Sequence, residues 1–242
     1  MTTTRLRKWG FRLGLPIAVL AALVVAGPFI YIHFITSDAP PAFTLPAASD
    51  VTETAASGAS AASGGVDAST LDGKWTVTSG SQAGYRVKEV LFGQDAEAVG
   101  RTGKVSGDIV IQSTTVQSAT ITVDLTSVTS GDSRRDAQFT GRIMNTATYP
   151  TATFTLTQPI TLATIPADGV KTTVNATGNL TLKGTTKSVT AQLSAQRSGD
   201  SIQVAGAIPL TFADWNIANP SMAGISVQNT GTVEFLVLLS QT

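Results

Sequence analysis

The chain has 242 residues, 16 basic and 16 acidic side chains, one histidine and no cysteine. A net charge of zero supplies no field to draw in nucleic acid, and the missing thiols exclude disulfides, a cysteine-linked lipid anchor and thiolate metal sites. The length would hold one or two domains, but strand alternation is confined to Leu71–Thr242, so one domain with appendages is expected.

Residues 1–12 are basic, with Arg5, Arg7, Lys8 and Arg12, and are expected to stay cytoplasmic. Leu13 to Ile35 carries no formal charge and is long enough to cross a hydrocarbon core of about 30 Å, so it reads as a single transmembrane helix. The domain that follows is then extracytoplasmic. The rival is a signal peptide cleaved near Ala26 or Ala39, which would leave a secreted or periplasmic protein. The apolar run extends beyond the 7–15 residues usual in such signals, which favours retention. Residues 36–70 are rich in Ala, Ser, Gly and Pro and have no aromatic residue after Phe43, the composition of a disordered tether.

From Leu71 onwards short strands and turn signals alternate. Trp75 and Val77 open the first. Tyr85 to Gly93 reads as a strand running into a helical turn, and Val99 to Ile111 as one strand whose glycines, Gly100, Gly103 and Gly107, allow a curling sheet to bend. In the central stretch Ala119, Ile121, Val123 and Leu125 alternate with Thr120, Thr122, Asp124 and Thr126. After the turn cluster Ser130-Gly131-Asp132-Ser133 comes a short helix, with Ser133 as its expected cap and Arg135, Phe139 and Ile143 along one side. Ala152, Phe154 and Leu156 then restore the two-residue period. Four further apolar rows follow: Val174–Leu182, Val189–Ala195, Ile202–Leu210 and Val233–Leu239. The fold class is all-β. The pattern predicts a sandwich or closed barrel of about eight antiparallel strands with a short capping helix, and the strand glycines favour the barrel.

Chemistry has few candidates. The sole histidine, His33, lies inside the apolar run, so the domain cannot build a Ser-His-Asp, Cys-His or His-ligated metal site. No catalytic residue, metal site or cofactor is expected. Asp132 and Asp136 occupy a turn cluster and a helix start, where carboxylates are ordinary. Asn175 and Asn179 fit the glycosylation triplet but read equally well as outward polar residues of a strand.

Five segments carry a resemblance. Thr126-Ser127-Val128-Thr129-Ser130-Gly131, then Arg134-Arg135-Asp136, then Tyr149-Pro150-Thr151-Ala152-Thr153-Phe154 resemble the signature of the YceI-like family of lipocalin-like proteins. Gly178-Asn179-Leu180-Thr181-Leu182-Lys183-Gly184-Thr185-Thr186 is similar to that family's hairpin, and Pro209 to Phe235 to its closing segment. The resemblance runs from about Trp75 to Leu239. It implies a barrel that holds a long isoprenoid or similar amphiphile without changing it. Gln138 replaces the family's usual His, and Arg142-Ile143-Met144-Asn145 replaces Asp-Phe-Phe-Asp, so the presumed lid is altered. The Arg135–Asp136 pair is retained and reads first as a local ion pair.

Ala119, Ala152, Ala176, Gly178, Ala191, Ala195 and Gly206 lie in the inward rows and leave room for such a ligand. Phe139, Met144, Phe154, Leu180, Phe212 and Trp215 are the expected apolar contacts, with Arg135 or Arg142 near a polar head. The alternative is a structural or interaction domain whose barrel is filled by its own side chains. The expected partners are thus a long-chain lipid and, through the N-terminal helix, the membrane.

Overall fold

A computed structural model describes residues 39–45 and 71–242. The cytoplasmic segment, the transmembrane reading of 13–35, His33 and most of the tether lie outside the described residues. Among those that are described, no helix is long and apolar enough to cross a membrane.

Alternation of β-branched or apolar residues with threonine favours extended backbone, because one face can be buried while the other stays hydrated. The strands are β1 (Gly73–Val77), β2 (Gln82–Leu91), β3 (Gln94–Thr102), β4 (Val105–Gln112), β5 (Thr115–Asp124), β6 (Thr151–Leu156), β7 (Ile160–Thr161), β8 (Lys171–Leu182), β9 (Thr185–Ser198), β10 (Ser201–Thr211), β11 (Ile225–Val227) and β12 (Thr230–Gln241). Eight of them form an antiparallel ring in the order β1-β4-β5-β6-β8-β9-β10-β12, closed where Trp75 and Val77 face Gln241 and Leu239.

The long β12 changes partner along its length. Its C-terminal end pairs with β1, whereas Thr232–Leu236 pairs with Gln82–Arg86 of β2. β2 in turn pairs with β3, and β11 extends the sheet beside β2. Arg101 on β3 exchanges both backbone hydrogen bonds with Thr129. The wall is thereby prolonged at one end, here called the mouth. At the opposite end Trp75, Ile109, Ile111, Val237 and Leu239 pack as a separate buried cluster.

Three local expectations change. Val99–Ile111 is two strands, because a turn at Gly103 separates β3 from β4 and is held by Lys104 N–H donating to Thr102 Oγ1 at 2.9 Å. Tyr85–Gly93 has no helical turn; β2 stays extended to Leu91 and reverses at Phe92-Gly93 into β3. The short helix α1 (Ser133–Gln138) is capped by Asp132, whose carboxylate accepts from Arg134 N and Arg135 N, rather than by Ser133. It continues as a π-helical turn over Phe139–Ile143.

The tether also has more structure than its composition suggests. Residues 39–45 lie on the outer wall, with Leu45 only 5% exposed. Arg86 and Arg101 donate to the carbonyls of Pro40 and Pro41, and Lys171 Nζ donates to Leu45 O at 3.0 Å. Two prolines supply carbonyl acceptors on a backbone whose extended form is already preset, which favours such docking.

Candidate functional site: an apolar lumen with a polar mouth

The inward rows enclose two adjoining cavities. The inner one, about 240 Å³, lies among Ile109, Ile121, Phe154, Leu180, Val204 and Phe235, and its surface is almost wholly apolar. The mouth cavity, about 850 Å³, runs between the β2–β3 hairpin, α1 and the loops after β10. Ala83, Val123, Ala152, Leu182 and Val233 line both, so the two spaces meet at a common collar. Volumes of this order suit an organic ligand of substantial size.

The inward glycines act differently from the expectation of simple empty space. A Cβ on Gly178 would stand 2.4 Å from Phe154 Cζ, and one on Gly206 would stand 2.6 Å from Phe235 Cζ. Each ring therefore fills the notch beside its glycine. Being drawn against the wall, neither has to cross the lumen.

Polar groups gather at the mouth. Arg135 Nη2 donates to Glu89 Oε1 at 3.0 Å, joining α1 to β2. Asp136 turns elsewhere and accepts from Ser130 N and Oγ at 2.8 and 2.6 Å. The expected Arg135–Asp136 pair is thus replaced by Arg135–Glu89, because β2 delivers a buried carboxylate to the helix side. Burial raises the Glu89 carboxyl above its ordinary range, with Arg135 pulling in the other direction. Burial likewise pushes the Tyr85 phenol up to about 12. Tyr85 is a neutral hydroxyl at ordinary pH, and its ring stacks on Phe139 at 5.0 Å with a 15° tilt.

Of the residues expected to touch a ligand, Phe139, Met144, Phe212 and Arg135 line the mouth cavity, and Phe154 and Leu180 line the inner one. Trp215 is buried in the same core but borders neither cavity, and Lys187 Nζ stands 5.8 Å above its ring. Arg142 stands outside the lumen and donates to Pro220 O at 3.2 Å. Sequence reasoning missed Tyr85, Glu89 and the exposed Phe92. The alternation in β2 could have placed Tyr85, Val87, Glu89 and Leu91 on one inward face, had the segment been read as extended throughout.

A second polar cluster lies on the outer wall. Glu234 is buried and receives Arg86 Nε at 3.1 Å and Arg101 Nη2 at 2.6 Å. Arg86 also reaches Glu97 at 2.6 Å. Burial works against the Arg86 charge, but its hydrogen bonds to Glu234 and Glu97 prevail and hold its pKa above the usual value.

The family model for the YceI-like domain matches residues 75–238, more than half of the chain. A polyisoprenoid-binding domain from Saccharophagus degradans has 20% identity and a TM-score of 0.57, with 69% of this chain and 98% of that one covered. BcnA of Burkholderia cenocepacia shares 24% identity at a TM-score of 0.49, with 64% and 95% covered. A YCEI protein of Campylobacter jejuni shares 17% identity at a TM-score of 0.48, with 59% and 84% covered. No curated protein matches the chain. With its closed antiparallel barrel and its match over residues 75–238, the chain belongs to the YceI-like domain family.

Proposed function

We propose that the barrel binds a long-chain isoprenoid-type lipid without chemical change, as a carrier or store. The observation that supports this reading is the arrangement of the lumen: a nearly all-apolar inner cavity continues into a larger one whose polar groups sit at the mouth. An apolar tail in the inner part and a polar head near Tyr85, Glu89 and Arg135 match that gradient. Each buried CH₂ is worth about 0.8 kcal/mol, so every isoprene unit adds roughly 3–4 kcal/mol before ordering costs. Length therefore favours binding. The neutral Tyr85 hydroxyl and the Arg135 guanidinium offer donors to a head group, and Glu89 offers an acceptor.

The same proposal places the barrel outside the cytoplasm, held to the membrane by Leu13–Ile35. The chain lacks cysteine and its one histidine precedes the barrel, which supports binding over catalysis. A name that describes polyisoprenoid binding in a structural relative agrees with the chemistry of the lumen.

The test is solvent extraction and mass spectrometry of the full chain purified from a lipid-containing host, beside a mock purification. A co-purifying lipid with a long apolar tail is expected. An empty extract, with no uptake of polyprenyl or quinone-type lipids offered in detergent, would replace this reading with that of an interaction domain.

A further inference from the structure

The mouth of the barrel ends in a fixed apolar tip. Phe92 is 59% exposed, Met222 is 49% exposed, and both border the mouth cavity; exposed Val90 lies beside them on β2. Phe92 holds φ +49, a left-handed conformation that bulky residues seldom adopt. Its N–H donates to Gly224 O at 2.7 Å, and its ring fills the space that a Cβ on Gly224 would need. The ring is thus anchored from behind while its other side faces outwards. Exposed apolar residues gathered around a cavity mouth mark a contact surface.

The docked segment 39–45 indicates what that surface meets. Pro40 lies on Arg86, Pro41 on Arg101, and Leu45 on Lys171, which starts β8 at the far end of the barrel. Phe43 lies under the Arg101 guanidinium, 3.9 Å from the ring centroid. Followed back from Leu45 to Pro40, the chain climbs the outer wall toward the mouth. Only residues 36–38 separate Ala39 from the uncharged run that ends at Ile35. A stretch of five residues, the separation of Ile35 from Pro40 in the sequence, can span at most about 17 Å. The rise along β2 from Arg86 to Phe92 is about 20 Å. With a bilayer at Ile35, as proposed above, the tip lies within reach of that surface.

We infer that the Phe92–Met222 tip is a bilayer contact and that the docked strap 39–45 holds the mouth of the barrel toward the membrane. The inference rests on the anchored, lipid-binding reading given above. Lys88, Arg134 and Arg142 are exposed around the same end, where they can meet lipid phosphates. Asp95 is an exposed carboxylate on the facing strand, and Asp132 is engaged as the cap of α1. Val170, the other large exposed apolar residue among the described ones, stands at the opposite end beside the inner cavity. The rival orientation is therefore a definite one. Mouth-down, an extracted tail passes from hydrocarbon to lumen without crossing water.

The chain has no native cysteine, so a single introduced one is a unique probe position. The full chain is reconstituted into phosphatidylethanolamine–phosphatidylglycerol vesicles with an environment-sensitive label at Gln94→Cys, near the tip, or at Ala167→Cys, at the far end. Spin-labelled lipid should quench the label at 94 several-fold more than that at 167. Adding Phe92→Ser and Met222→Ser should abolish most of this difference while the domain keeps a cooperative thermal transition. Releasing the strap with Phe43→Ala and Leu45→Ser should reduce it too. Equal quenching, stronger quenching at 167, or indifference to the tip substitutions overturns the inference. So does cross-linking of two copies through position 94 without lipid quenching. Lipid extraction of the same samples separates the readings: bound lipid without quenching defeats the orientation alone, and quenching without bound lipid defeats the binding reading alone.

Discussion

Glu89 and Arg135 meet at the mouth of the barrel, where Arg135 Nη2 donates to Glu89 Oε1 at 3.0 Å and ties α1 to β2. The carboxylate side chain is 7% exposed and the guanidinium 31% exposed, so the two ends of the bridge differ in what they lose with the partner. Removing the arginine leaves a buried acid; removing the acid leaves a cation that still reaches water.

Arg135→Ala should accordingly destabilise the domain by about 1–3 kcal/mol, more than Glu89→Gln, which keeps size and hydrogen bonding but removes the charge. Denaturant unfolding of both variants at neutral pH checks the order. Equal losses would mean that the carboxylate is hydrated.

A pH dependence follows from the same residue. Burial places the folded Glu89 pKa above its ordinary 4.5, so the folded state holds the proton more tightly than the unfolded one. Its contribution to stability is present below about pH 4.5 and is lost as pH rises through the folded value. Asp132 has the opposite sign: backbone N–H groups of Arg135 and Arg134 lower its pKa, so its contribution is lost as pH falls through the lowered value. Stability curves of Glu89→Gln should lack the decline above pH 4.5, and those of Asp132→Asn should lack part of the acid loss.

Gly178→Ala and Gly206→Ala should each cost about 1–3 kcal/mol by overpacking, since the added methyl meets Phe154 or Phe235. They should also reduce lipid occupancy by driving a ring into the lumen. Phe235→Ala combined with Gly206→Ala should cost less than the two single losses added together, because every close contact of the added methyl there is a side chain, whereas at Gly178 the Thr155 carbonyl oxygen also stands 2.5 Å from it.

Leu180 is 4% exposed and faces the inner cavity, whereas Asn179 beside it is exposed on the outer wall. Leu180→Asp should destabilise by several kcal/mol and Asn179→Asp by less than about 0.5 kcal/mol. Thermal melts of the two variants test the alternation directly.

Glu234→Ala should cost about 3 kcal/mol, because it leaves Arg86 and Arg101 facing each other with Glu97 as the remaining carboxylate. Loss of the 39–45 contacts should accompany it, as both arginines also hold that strap. Protease sensitivity of the strap is the simplest measurement.

Much of this architecture follows from the amino-acid sequence alone, because a two-residue period is a local property. The rows through Ile121, Phe154, Leu180, Ile208 and Val237 identify the inward face, and turn residues between them set an antiparallel course. Ring closure was only favoured by the glycines, since a sandwich carries the same rows; the pairing of β1 with β12 decides it. The exchange of partners along β12, the Glu89–Arg135 bridge and the rings seated on Gly178 and Gly206 join residues far apart in the chain. Their meeting depends on the register of several strands at once, which no local pattern encodes. The strap is the clearest case: an Ala-Pro-rich stretch has no core of its own to bury, and it becomes ordered only because the folded wall presents Arg86, Arg101 and Lys171 at the spacing of its carbonyls.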